Sequence, residues 1–153
     1  ARITAPGNDV TLVGISAMQP ECLKAHHYLA EVGIEAEVID PVWLSPLDLD
    51  TIEASVARTG RLLVVDNGWT CCGASAEIVA AISERGAGSP LRVRRLGFAP
   101  TPCPTTSALE AHYYPTGAAI AAAARDLVEG RTTGWRPERR PDLEAAATFK
   151  GPF

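Results

Sequence analysis

Six residues, Arg61-Leu62-Leu63-Val64-Val65-Asp66, constrain the fold more than any other stretch of this chain. Four consecutive apolar side chains leave a strand no face for water, so the strand they form is covered on both sides. Such strands belong to parallel sheets, whose crossover helices pack above and below. The flanking sequence supplies those parts. Asp9 to Ser16 reads as a second buried strand, in which Gly14 admits a close neighbour, and Glu35 to Asp40 as a third, ended by Pro41.

Helical patterns alternate with these runs. Cys22, Ala25, Leu29 and Val32 recur at helical spacing after Pro20 and stop at Gly33. Ser45, Pro46 and Asp48 form a helix-start signal before Ile52, Val56 and a Gly60 stop. A third helix runs through Ala76, Ile78 and Ile82 to Gly86, and a last one from Ala118 to Val128, ended by Gly130. Leu91 to Gly97 alternates apolar and basic residues, the mark of a strand near a sheet edge, and Ser107 to His112 reads as a short helix among prolines. The expected architecture is a three-layer αβα domain on a mostly parallel, or mixed, sheet over residues 1–130. Residues 131–153, with three prolines and little periodicity, are expected as an extended C-terminal arm.

Charge and composition narrow the function classes. The net charge of −4, with no basic stripe carrying interleaved aromatics, argues against a nucleic-acid partner. No apolar run approaches the length of a membrane span, and no basic segment followed by an apolar one marks a secretory signal. Cys22, Cys71, Cys72 and Cys103 show neither metal-ligand spacing nor a disulfide framework, so a reducing, cytoplasmic location is expected. Residues 131–153 carry a net +2 against −6 for the rest, which suits an arm lying on an acidic surface of its own or a neighbouring subunit.

The loop after the strongest strand, Asp66-Asn67-Gly68-Trp69-Thr70-Cys71-Cys72-Gly73, occupies the place where ligands of α/β folds usually sit. Its chemistry is less specific. Gly68 and Gly73 have the first spacing of a phosphate-binding loop, but Ala74-Ser75 follows without the lysine. Adjacent cysteines differ from the Cys-x-x-Cys redox motif, so a packed turn with buried thiols is expected ahead of a redox or metal centre. His26, His27 and His112 read as structural, and Asp40 and Asp66 as turn caps at strand ends.

Taken in order, Leu44-Ser45-Pro46-Leu47-Asp48, Thr59 to Asp66 and Gly73 to Ile78 resemble the C-terminal domain of transketolase-type thiamine-diphosphate enzymes. Within that group they resemble the β subunit of 2-oxo acid dehydrogenase E1 components of the pyruvate, branched-chain and acetoin type. The similarity continues through Thr101 to Thr106, Leu109-Glu110, Tyr114-Pro115 and Ala118 to Ile120, and spans residues 9–130. Where the family often has Arg-Thr-Gly-Gly-Phe-Gly, this chain has Trp69-Thr70-Cys71-Cys72-Gly73-Ala74.

The resemblance implies a structural and assembly module. Thiamine diphosphate and its Mg are held by other domains of such enzymes, so no catalytic, cofactor-binding or metal residue is expected here. It also implies a homodimer through this domain, E1 α-like and pyrimidine-binding domains or subunits as partners, and an E2 acyltransferase as a further one. Trp69, Cys71, Cys72, Tyr113 and Tyr114, with Trp135, Phe149 and Phe153 on the arm, are the candidate subunit contacts. Two other classes share the pattern: a free-standing small-molecule-binding domain and a vicinal-thiol redox protein.

Overall fold

The computed structural model describes residues 1–86, 90–110, 112–138 and 140–145. Five strands, β1 (Arg2–Ala5), β2 (Val10–Gly14), β3 (Ala36–Asp40), β4 (Arg61–Val65) and β5 (Arg92–Leu96), form one sheet in the order β1-β3-β2-β4-β5. All neighbours are parallel except β1, which runs antiparallel to β3. The mixed, mostly parallel sheet expected from the sequence is therefore present.

The register explains the two-sided core. Leu12 of β2 lies opposite Val38 of β3 and Leu63 of β4, and these three point to one face. There they meet helices α1 (Met18–Ala30) and α5 (Gly117–Glu129), through Cys22, Ala25, Leu29 and Ile120. The alternate residues Val13, Ile39, Leu62 and Val64 face the other way, against Ile52 and Val56 of α2 (Leu49–Thr59) and Ile78 and Ile82 of α3 (Ala74–Glu84). The period-2 pleat thus sorts continuous apolar runs onto two helical layers.

A cluster of three hydroxyls is buried against that core. Thr11, fully buried, shares hydrogen bonds with Ser55 Oγ at 2.7 Å and Thr59 Oγ1 at 2.8 Å, both on α2. The hydroxyls satisfy one another, so the group fixes the register of α2 on β2 at little desolvation cost.

Local signals set the boundaries. Asp48 caps α2, its carboxylate accepting from the Thr51 amide at 3.1 Å and from Thr51 Oγ1 at 2.7 Å. Gly60 ends the same helix in the left-handed conformation at φ 66°. α1 starts at Met18, with Pro20 in its first turn where its missing N–H is not needed. It ends at Ala30, before Val32, which is 39% exposed and not part of the buried face. Gly14 packs closely: a Cβ there would lie 2.9 Å from Cys22 Sγ.

Strand β1 was not legible. Ile3 is half exposed, and the segment is extended because it pairs with β3, Ile3 opposite Ile39. β5 is the opposite edge strand, as its alternation predicted. A short helix α4 covers Ser107–Glu110. Beyond α5 the chain turns back over its own domain. Thr133 donates from its amide and hydroxyl to Asp126 Oδ1 at 2.8 and 2.7 Å, and the Arg140 amide donates to Tyr28 Oη at 3.3 Å. A single turn of helix, α6 (Pro141–Ala145), follows. Among the described residues no helix is long and apolar enough to cross a membrane.

Candidate functional site at the carboxyl edge of the sheet

Three loops leave the carboxyl ends of the parallel strands. The first, between β3 and α2, turns sharply because Asp40 Oδ1 accepts from the Val42 amide at 3.0 Å. Val42 is held at φ 60°, a conformation that a β-branched residue adopts only when its surroundings enforce it. The turn leaves Val42, Trp43 and Leu44 exposed, Trp43 at 68%. Sequence reasoning passed over these three. The available signal was a run of large apolar residues in a loop with no helical or strand period to bury them.

The second loop joins β4 to α3 and carries Trp69, Cys71 and Cys72. Gly73 makes it possible, since a Cβ at this position would lie 1.9 Å from the Trp69 carbonyl oxygen. The loop is tied to the third one: the Phe98 amide donates to Gly68 O at 2.9 Å, and the Arg95 guanidinium donates to Thr70 O. Trp69 is half exposed. Cys71 and Cys72 are exposed as well, with their Sγ atoms 3.8 Å apart. The expected burial of these thiols is therefore corrected: with the loop folded back on Trp69 and pinned to β5, its central residues project beyond the sheet edge. Hydrogen bonding to Cys71, then its charge, pushes the Cys72 thiol above the usual range.

The third loop, after β5, is anchored by aromatic packing. Phe98 stacks on Tyr113 with centroids 4.7 Å apart, and Tyr114 meets both rings edge-on at 5.2 and 5.1 Å. The Ala99 amide donates to Tyr113 O at 3.0 Å. Tyr113 is buried by this cluster, whereas Tyr114 remains partly exposed beside Cys103, 3.9 Å from its Sγ. The Cys103 contact raises the Tyr114 hydroxyl above its ordinary value.

The other sequence candidates lie elsewhere. Trp135 packs against the α1–α5 side of the core under Arg125, whose guanidinium carbon is 5.0 Å from the indole centroid. Phe149 and Phe153 fall outside the described residues. His26 lines an open groove of about 540 Å³ at the amino end of the strands, and its Nδ1 is 2.8 Å from Ala36 O. His112 is exposed. Asp66 is buried at the end of β4, and Ser75 Oγ, at the start of α3, is buried without a hydrogen-bond partner among the described residues.

Comparison with known proteins decides the family. Residues 1–120 match the family described as transketolase, C-terminal domain. The chain belongs to this family. As a transketolase C-terminal domain it is similar to the acetoin:2,6-dichlorophenolindophenol oxidoreductase subunit beta of Cupriavidus necator, 40% identical over 131 residues, covering 85% of this chain and 39% of that protein. It is also similar to the mitochondrial pyruvate dehydrogenase E1 component subunit beta of Drosophila melanogaster, 41% identical over 131 residues, covering 84% and 34%. The chain thus spans well under half the length of these relatives. Among solved structures it is similar to a split gene transketolase described as an inactive beta4 tetramer, with a TM-score of 0.76 at 26% identity, covering 84% of this chain and 42% of that one. The transketolase-like α/β fold and the E1 β resemblance read from the sequence both hold.

Proposed function

We propose that this transketolase C-terminal domain is the assembly module of an E1 β-like subunit in a thiamine-diphosphate-dependent 2-oxo acid dehydrogenase or transketolase-like enzyme. It supports subunit pairing into a homodimer and the docking of E1 α-like and pyrimidine-binding domains and of an E2 acyltransferase. The observation that carries this reading is the collection of Val42, Trp43, Leu44 and Trp69, all exposed, at the carboxyl ends of β3 and β4. Unburied aromatic side chains gathered at one edge are the composition of a contact surface. Tyr114, partly exposed at the same edge, belongs to it; Trp135 serves instead to pack the arm on its own domain.

Thiamine diphosphate and Mg are held by other parts of the enzyme on this reading. The residues at the edge do not fit a diphosphate with its divalent metal: Asp40 is engaged by the Val42 amide and by Arg2, and no three His, Cys, Asp or Glu side chains gather in a metal-binding group among the described residues. Four free cysteines, three of them exposed, suit a reducing, cytoplasmic setting.

Sedimentation velocity and titration calorimetry test this together. The expected chain self-associates at micromolar concentration and gives no binding heat with thiamine diphosphate and Mg. A monomer at all concentrations, or saturable cofactor binding, would overturn the proposal.

A further inference from the structure

The two exposed thiols of the β4–α3 loop are placed for a task that assembly does not require. Their Sγ atoms stand 3.8 Å apart on the same side of the loop. This is near van der Waals contact and far from the roughly 2.05 Å of a disulfide. The peptide between them is trans, since among the described residues the cis bond is Ser45–Pro46. A trans peptide fixes adjacent Cα atoms at about 3.8 Å, below the roughly 4.4–6.8 Å usual for disulfide-bonded cysteines. Ring closure to a disulfide is therefore opposed by the backbone, whereas a single larger atom can bridge both sulfurs with little rearrangement.

The loop is held ready for such a bridge. Cys72 sits at φ 55°, in the left-handed region, which turns its side chain back toward Cys71. Gly73 against the Trp69 carbonyl, the Arg95 bond to Thr70 and the Phe98 bond to Gly68 fix the loop on either side of the pair. Two soft sulfur donors in a fixed arrangement, exposed to solvent, select soft, thiophilic partners over hard cations.

We propose that Cys71 and Cys72 form a bidentate site for trivalent arsenic species of the arsenoxide class. The step balances without an oxidant or a reductant. An arsenoxide condenses with the two thiols: both S–H bonds and the arsenic–oxygen bond break, two As–S bonds form, and the oxygen leaves with the two protons as water. Arsenic stays trivalent and no electrons are transferred. Cys22 is buried, and Cys103 lies beside Tyr114 in the third loop, so neither offers a second sulfur in this arrangement.

Phenylarsine oxide is the probe, and intact-mass spectrometry of the full chain under non-denaturing conditions is the readout. The expected result is one phenylarsenic adduct per chain that survives a wash with excess 2-mercaptoethanol and is removed by 2,3-dimercaptopropanol. Tryptic mapping of the wild-type chain, which needs no variant to fold, should place the adduct on the peptide Leu62–Arg85 that contains both thiols. Cys71→Ser and Cys72→Ser should each lower retention after the monothiol wash at least tenfold, and Cys103→Ser should leave it unchanged. An adduct stripped by 2-mercaptoethanol from the wild type, mapped to another peptide, or retained in either single variant would overturn the site, without bearing on the assembly role.

Discussion

Glu21 and Gly117 join the two helices of one face of the sheet across 96 positions of sequence: Glu21 Oε2 accepts the Gly117 amide at 2.6 Å. That amide is the first of α5 and has no partner within its own helix, so the carboxylate both satisfies it and meets the positive end of the helix dipole. The other oxygen of Glu21 holds the largely buried Lys24 ammonium at 2.7 Å. Glu21→Ala removes a charged acceptor from two donors and should cost about 2–3 kcal/mol in urea unfolding. Glu21→Gln, which keeps an acceptor, should cost less; equal losses would show that the hydrogen bond to Gly117 contributes little.

The hydroxyl group of Thr11 should prove more important than its size suggests. Thr11→Val preserves shape but leaves Ser55 and Thr59 without their shared partner in a dry core. A loss of about 1–3 kcal/mol is expected. A stability equal to wild type would mean that Ser55 and Thr59 re-pair with each other.

Gly73 is the residue on which the β4–α3 loop turns. Gly73→Ala brings a Cβ into the Trp69 carbonyl, a contact that only movement of the backbone can relieve. About 2–4 kcal/mol of destabilisation is expected by chemical denaturation, with an altered Trp69 environment in near-ultraviolet circular dichroism. Gly68→Ala, where the neighbour is the Asp66 carboxylate at 3.3 Å, should cost less.

Asp126 makes the docking of the arm pH-dependent. The Thr133 amide, then its hydroxyl, then Arg94 hold the Asp126 carboxyl below its ordinary range. Because the folded value lies below the unfolded one, the stabilisation is complete above about pH 4 and is lost as pH falls through the folded value. Asp126→Asn should therefore be less stable than wild type at neutral pH, by about 1 kcal/mol, with the gap closing in acid. A gap that does not narrow between pH 5 and pH 2 would assign the effect to packing rather than to charge.

Trp43 separates stability from assembly. As an exposed loop residue, its replacement by Ser should change unfolding free energy by no more than about 0.5 kcal/mol. The same variant should weaken self-association at least tenfold by sedimentation if the carboxyl edge is the contact surface. By contrast Ile120→Ala, in the α1–α5 core, should cost about 2–5 kcal/mol.

The layers follow from local patterning alone. Residues 62–65 are apolar without interruption, so they had to be covered twice, and the helical repeats between the strands supplied both covers. Local patterning also marked the helix stops at Gly60 and Gly130 and the start of α2 near Asp48, although Asp48 itself, and not Ser45 three residues before it, is the cap. The ordered motifs from Leu44 to Ile120 carried the family. Tertiary structure decided the rest. β1 is a strand only because β3 offers it an edge, and no pattern in Arg2-Ile3-Thr4-Ala5 encodes that pairing. The exposure of Cys71 and Cys72 depends on Gly73 reaching the Trp69 carbonyl and on Arg95 holding Thr70 from another strand. Likewise Tyr113 is buried and Tyr114 partly exposed, though they are adjacent, because Phe98, just after β5, stacks over the Tyr113 ring and meets Tyr114 only edge-on. Periodicity reports what a residue's own element must bury; which side chains remain open to a partner or a ligand is set by contacts between segments far apart in the chain.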